Sequence, residues 1–140
     1  MFMNTQNKMI NILMLSGKKL QAEKILFDCL QLLEKVYEKE GKATLEKAVL
    51  NVTPSFEIRT IRIAGRTQQI PFPVKKRKQH SLALKWIVAS SRTNNKRSLP
   101  DKLAFEINEA SMGRGQAVKK RNEVHKTAES NRAFAHFRWC

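Results

Sequence analysis

Over the first fifty residues the apolar positions fall into stripes with helical spacing. Asn4 to Leu15 places Met9, Ile12 and Leu13 at i, i+3 and i+4, which predicts a short helix. Ser16-Gly17 follows it, with Gly17 suited to a left-handed cap. Lys18 to Lys39 carries the longest stripe: Ala22, Ile25, Leu26, Cys29, Leu32, Leu33 and Val36 share one face, and Lys24, Asp28, Gln31 and Lys35 occupy the other. Gly41 is expected to close this helix. Ala43 to Leu50 predicts a third helix with Leu45, Ala48 and Val49 inward. Three such stripes read as the packing core of a bundle.

The period then changes. Pro54 breaks helix, and Phe56 to Ile63 reads as a strand rich in β-branched residues. Its alternation slips by one between Ile58 and Ile61, which suggests a bulge or strong twist. Ala64-Gly65-Arg66-Thr67 predicts a turn. Gln68 to Val74 alternates again, with Ile70, Phe72 and Val74 on one side. Pro71 and Pro73 cannot donate to a ladder, so this is an edge strand. Two such strands make an isolated ribbon that must lean on the bundle or on a partner.

Helical spacing returns in Lys76 to Arg92. Leu82, Trp86 and Ala89, with Ala83 and Ile87, are expected on its buried side. Lys78, Lys85 and Arg92 are seven apart and form a basic ridge expected to lie opposite the apolar side. Arg92 to Arg97 is a loop. Ser98 is a natural N-cap, with Pro100 and Asp101 in the first turn of a fifth helix that reaches about Ser111 and turns Leu103, Ile107 and Ala110 inward. Gly113-Arg114-Gly115 reads as a flexible joint, and a sixth helix covers about Gln116 to Asn131. The segment Phe134 to Trp139 mixes aromatics with cations. The expected fold is therefore mainly α: a single domain over residues 1–140, with about six helices and one projecting two-stranded hairpin over 56–74.

Charge sharpens this picture. The chain has 140 residues with 27 Lys and Arg against 12 Asp and Glu, a formal net charge of +15. The first fifty residues hold eight lysines and six acidic residues, hence +2. The other ninety hold nineteen basic and six acidic residues, hence +13. Lys75 to Arg97 contains eight basic residues (Lys96 among them) and no acidic one. A solvated face usually mixes signs, so this run points to a polyanionic partner.

Other chemistries lack their residues. His80, His125 and His136 share no metal-ligand spacing with one another or with the two cysteines. Cys29 reads as a small buried hydrophobe and Cys140 as a free terminal thiol. No glycine-rich loop matches a phosphate-binding fingerprint, and no nucleophile-base pair is visible. Glu106 and Glu109 read as solvated surface. No apolar stretch approaches the roughly 20 residues of a membrane span. The first fifteen residues lack the features of a secretory signal or of an Arg-rich presequence. Neither an enzyme nor a cofactor is expected.

Several runs together resemble small-subunit ribosomal protein seven, a universal protein of the ribosomal head. They are Ser16-Gly17-Lys18-Lys19 followed by Ala22-Glu23-Lys24-Ile25, then Asn51-Val52-Thr53-Pro54, then Leu82-Ala83-Leu84-Lys85-Trp86-Ile87-Val88. The most diagnostic opens Gly115-Gln116-Ala117-Val118-Lys119-Lys120-Arg121-Asn122-Glu123-Val124 and continues to Trp139. The likeness spans about Ile10 to Trp139. It implies six helices with one hairpin, and binding to the 3′ major domain of small-subunit ribosomal RNA, where the protein helps nucleate head assembly. It implies further that the hairpin reaches toward exit-site tRNA and the mRNA exit channel, with neighbouring head and platform proteins as partners.

On that reading the expected RNA contacts are Lys18, Lys19, Arg59, Arg62, Arg66, Lys75, Lys76, Arg77, Lys78, Lys85, Arg92, Arg97, Arg114, Lys119, Lys120 and Arg121. Trp86 is expected in the core, and Trp139 either packs or stacks on a base. The family usually has a basic N-terminal arm, whereas this chain opens almost at the first helix. Short ends and the Asn, Lys and Ile usage suggest an organellar member, in the mitochondrial matrix, with plastid or bacterial cytoplasm as alternatives. A rival reading is a DNA-binding regulator that uses Trp86 to Ala110 as a helix-turn-helix. A third is a membrane-surface protein that uses the Lys75 to Arg97 patch.

Overall fold

A computed structural model describes residues 2–93 and 97–139. Lys96 and Cys140, with the middle of the Arg92–Arg97 loop and the side chain of Trp139, lie outside what it describes. In chain order the elements are α1 (Phe2–Leu13), α2 (Lys19–Lys35), α3 (Gly41–Val52), β1 (Phe56–Ile63), β2 (Arg66–Pro73), α4 (Lys76–Arg92), α5 (Leu99–Ser111) and α6 (Gln116–Ser130). A C-terminal 3-10 helix (Arg132–Trp139) completes them. The expected class holds: six α-helices among the described residues, with one two-stranded antiparallel hairpin. None of these helices is long and apolar enough to cross a membrane.

The core follows the stripes. Met9 and Leu13 of α1, Ala22, Leu26, Cys29 and Leu33 of α2, and Leu45, Ala48, Val49 and Val52 of α3 are buried together. Their partner is α5, which packs against α2, α3 and α4 and buries Leu103, Ala104, Ile107 and Ala110. Burial pushes the Cys29 thiol up to about 12, so it sits there as a neutral hydrophobe.

Helix α2 stops at Lys35, short of the expected Lys39, and Val36 is 63% exposed rather than part of the buried stripe. The chain reverses through Glu38, which takes a left-handed φ of 50°. A non-glycine residue there is uncommon, which is why the stop was hard to read. Gly41 does not close α2. It opens α3 after Glu40 and lies close against α2: a Cβ on Gly41 would lie 3.0 Å from the carbonyl oxygen of Leu30.

The hairpin pairs without interruption from Phe56↔Pro73 to Ile63↔Arg66, so the expected bulge is absent. The slip in alternation has another cause. Near the base both faces are covered, with Ile70 and Pro71, adjacent and on opposite faces, both buried. Toward the tip only the Glu57 face stays partly covered, at Ile61, Ile63 and Gln68, while the opposite face is exposed, so the covered face changes along the ribbon. Ala64 and Gly65 form the turn with φ of 50° and 79°, the two positive values of a tight two-residue hairpin loop.

Helix α4 has the expected ends, and Ala83 and Ile87 are buried as expected, but the buried side is centred on them and not on Leu82, Trp86 and Ala89. Ala83, Leu84, Ile87, Val88 and Ser91 are buried, Leu82 and Trp86 are half-buried, and Ala89 is exposed. This helix is apolar on two sides, and the side toward α1, α3 and α5 is the one the core takes. Ser98 is the N-cap position of α5 as expected, but its hydroxyl bonds the Asp101 carboxylate rather than a backbone amide. The Gly113–Gly115 joint is an ordered turn, with the Arg114 N–H donating to Glu109 O at 2.9 Å.

Candidate nucleic-acid interface

The hairpin supplies the first group of cations. Directly paired residues share a face of an antiparallel ladder, so Arg59 and Arg66 lie on the Glu57 face and Arg62 lies on the other. All three arginines are exposed. Arg59 donates through Nε to Glu57 Oε1 at 2.8 Å and rests 4.6 Å above the Phe72 ring. Arg62 and Arg66 flank the turn with no protein partner among the described residues, so they are the ones presented to a ligand.

The second group opens α4. Lys75, Lys76, Arg77 and Lys78 are all exposed, with Lys75 at the N-cap position. Lys78 Nζ donates to Glu57 Oε2 at 2.6 Å, which ties the first turn of α4 to β1. Partial burial raises the Glu57 carboxyl, but hydrogen bonds and charge from Lys78 and Arg59 outweigh it and hold the group below the ordinary carboxylate value. Glu57 thus stays ionised and engages two of the expected RNA contacts.

The ridge of Lys78, Lys85 and Arg92 is exposed as expected but does not oppose the apolar positions named for it. Leu82 and Ala89 follow Lys78 and Lys85 by four residues, so the ridge borders the half-covered strip of Leu82, Trp86 and Ala89. Arg92 reaches across to Leu13 O at 3.3 Å. Lys85 has no hydrogen-bond or ion-pair partner among the described residues and is the unencumbered member of the ridge.

Helix α6 adds Lys119 and Lys120, both exposed, with Lys120 Nζ 5.6 Å above the Trp86 ring. Arg97 sits 5.8 Å above Phe105 in the same manner. With Arg59 over Phe72, three of the expected contacts rest on aromatic faces. Such contacts orient a cation without neutralising it. Arg114 approaches Glu109 at 3.6 Å, while Lys18 and Lys19 are exposed where α2 begins. Arg121 stands apart: it is half-buried and donates to Asn51 O and Asn122 Oδ1, while Asn51 Nδ2 donates to Ala110 O at 2.9 Å. Arg121 therefore ties α6 to the end of α3.

Two residues outside the cationic set position it. Glu106, expected on the surface, is buried and accepts the Ala117 N–H at 2.9 Å. Burial raises its carboxyl, backbone hydrogen bonds from Ala117 and Gln116 partly offset this, and Glu109 adds to the rise. His125 accepts the Ser55 N–H at Nε2, 3.0 Å away, and so joins α6 to the start of the hairpin as a neutral ring. Burial and nearby Arg121 hold it below the usual histidine value. Neither role is visible along the chain, because both partners come from distant segments.

The rival readings fare poorly on this geometry. Helix α5, the second helix of the suggested helix-turn-helix, has seven of its thirteen residues buried and cannot enter a DNA groove. Among the described residues, the Lys75–Arg97 patch has only scattered exposed apolar neighbours, Leu50 near Lys76 and Arg77 and Phe105 under Arg97, rather than a continuous apolar face to anchor in a bilayer.

Comparison with known proteins agrees with this architecture. The family model described as ribosomal protein S7p/S5e matches residues 3–132. A small ribosomal subunit protein uS7 of Pelobacter propionicus is 44% identical over 135 residues, covering 96% of this chain and 86% of the relative. The uS7 proteins of Mycoplasmopsis agalactiae and Dictyoglomus thermophilum are each 45% identical over 132 residues, covering 94% of this chain and 85% of the relative. These relatives are bacterial. With a family match over nearly the whole chain and relatives of this identity, the chain belongs to the ribosomal protein S7p/S5e family, whose members are structural proteins and not enzymes.

Proposed function

We propose that this protein is a structural component of the small ribosomal subunit that binds the 3′ major domain of small-subunit ribosomal RNA and helps nucleate assembly of the head. The observation that carries the reading is the grouping of exposed, largely unpaired cations on the hairpin, the start of α4 and α6, in a chain of this family. Folded RNA presents phosphates over an irregular concave surface. Cations on a ribbon and two helices can meet several of them at once and release their counterions. The hairpin, tipped by Arg62 and Arg66, reaches toward exit-site tRNA and the mRNA exit channel, and neighbouring head and platform proteins complete the surroundings. The sixteen basic residues named from the sequence are the candidate contacts. Arg121 and Lys78 act there chiefly by fixing α6 and the hairpin in place. The protein works in a ribosome. Residue usage favours the mitochondrial matrix and the bacterial relatives favour the bacterial cytoplasm; the genome that holds the gene decides between them.

The test is sedimentation of a native lysate with the chain located by mass spectrometry. It is paired with binding of the purified protein to a 3′ major domain transcript, to duplex DNA and to anionic vesicles. Co-migration with small subunits through a high-salt wash and preference for the transcript are expected. A chain that stays at the top of the gradient, or that prefers DNA or vesicles, overturns the reading.

A further inference from the structure

Between the base of the hairpin, the end of α6 and the C-terminal 3-10 helix lies a cleft of about 620 Å³. Its volume falls in the range of roughly 300–1,000 Å³ typical of small-molecule clefts. Phe56, Pro71 and Ala135 give it apolar walls, and Arg132, Arg138 and Glu129 give it polar ones. Phe56 is 39% exposed, a large ring left open in a cleft whose other hairpin wall, Pro71, is buried. His125, which also lines the cleft, stands edge to face with it, ring centroids 6.4 Å apart. Arg138 donates Nε–H to Pro71 O at 2.7 Å, which fixes its guanidinium against β2 and leaves both terminal NH2 groups for a ligand. Arg132 and Glu129 have no ion-pair partner among the described residues.

The combination selects its occupant. An apolar side chain would leave two arginines unused, and a bare phosphate would leave the Phe56 ring and Pro71 unused. A nucleotide has both halves, a flat π face and an attached anion, and unstacked bases are what RNA offers to proteins at loops and junctions. Two arginines against one carboxylate, Glu129, leave the polar wall net positive and suited to an anion. We propose that this cleft takes a single unstacked nucleotide of the bound RNA, its base against Phe56 and Pro71 and its phosphate on Arg132 and Arg138. The inference rests on the RNA-binding reading above and adds a site to it that none of the sixteen expected contacts includes.

The test uses the full chain with a 3′ major domain transcript carrying 4-thiouridine and 6-thioguanosine, irradiated and mapped by mass spectrometry. A nucleotide adduct is expected on the peptide holding Phe56 or on the segment from Glu129 to Arg138. Ala135→Phe, which fills the cleft from a half-exposed position, should remove that adduct. It should also weaken binding roughly five- to tenfold, the low end of what one stacked base contributes. Phe56→Leu keeps the apolar bulk without the π face and should weaken binding in the same direction. Adducts found only elsewhere, with both variants binding as the unaltered chain does, overturn the site and leave the RNA reading standing. Absence of any transcript binding overturns both. Free mononucleotides form a separate arm. If they bind the cleft at micromolar concentration while filling it leaves transcript affinity unchanged, the ligand is a free nucleotide and the proposal fails. A benzophenone side chain placed at position 129, exposed at the rim of the cleft, in isolated small subunits should cross-link to RNA; cross-links to a neighbouring protein instead overturn the proposal.

Discussion

The carboxylate of Glu106 on α5 accepts the backbone N–H of Ala117, in the first turn of α6, at 2.9 Å. One side chain from the centre of the bundle thereby caps the helix that carries Lys119, Lys120 and Arg121. The helix N-terminus is the positive end of the peptide dipole, so a carboxylate there is well placed despite its burial. Gly115 makes room for it: a Cβ at that position would lie 3.0 Å from Glu106 Oε1. Glu106→Ala should destabilise the protein by about 1–3 kcal/mol, the usual cost of leaving a buried amide unpaired. Glu106→Gln, which keeps an acceptor oxygen, should cost less. Urea denaturation of the two variants checks this, and equal losses would mean the cap contributes nothing.

Lys85 offers the simplest reading of the salt dependence. It is exposed and unpartnered, whereas Lys78 is held by Glu57 and Arg92 by Leu13 O. Lys85→Ala should flatten the log–log salt slope of RNA binding by up to about 0.7–0.9, the share of one phosphate contact. Removing Lys78 and Arg92 as well should flatten it further. A slope unchanged by the triple substitution would show that the ridge faces water in the complex.

On the proposed RNA-binding reading, Glu57 would compete with RNA for Arg59 and Lys78. Glu57→Gln should change stability by no more than about 1 kcal/mol, as for an exposed ion pair. It should also steepen the salt slope, since Arg59 and Lys78 are then free to meet phosphates. An unchanged slope with lower affinity would mean instead that Glu57 matters for holding the hairpin in position.

The Ser55–His125 contact makes stability depend on pH. The folded ring has a depressed pKa, so the unfolded ring, with its ordinary value near 6.5, takes up a proton first. The contribution is complete above that value and is lost as pH falls through the folded-state pKa. His80 is shifted the same way by burial and by nearby Lys8. Thermal melts between about pH 7.5 and about pH 5 should show His125→Ala losing less stability on acidification than the unaltered chain. An equal loss would assign the effect to other groups.

Gly41 is a packing prediction. Its Cβ would meet Leu30 at 3.0–3.3 Å, against backbone oxygen and side chain alike. Gly41→Ala should therefore destabilise by about 1–3 kcal/mol despite alanine's better helix propensity. A neutral or stabilising result in denaturant titration would show that α2 and α3 can separate at no cost.

What the sequence revealed follows from where its signals are local. Pro54, Gly65 and the prolines of the second strand punctuate the chain, and β1 came out at Phe56 and Ile63 as read, with α4 at Lys76 and Arg92. The stripes of α2, α3 and α5 were legible because each faces a single core. Helix α4 misled because it is apolar on two sides, and only its neighbours decide which side is buried. Glu106 looked like surface because nothing along the chain says that α6 folds back over α5. Of the cationic surface, membership was readable, but engagement was not. That Glu57 holds Lys78, or that Arg121 serves Asn51, depends on segments twenty-one and seventy residues apart.

Among the described residues, the hydrogen bonds that tie the hairpin to the body lie near its base, at Ser55, Glu57 and Pro71. Beyond Pro71, which pairs with Ile58, five residue pairs run to the tip, roughly 17 Å at about 3.4 Å per residue. Mechanically this is a cantilever with a three-point clamp, and it multiplies small movements. A tilt of about 10° at the clamp would carry Arg66 about 3 Å at that length, as far as a hydrogen bond is long. The clamp combines an ion pair sensitive to salt, a histidine contact sensitive to acid and an arginine–carbonyl bond insensitive to acid. Ionic strength and pH would therefore act on where the tip points well before they act on whether the bundle is folded.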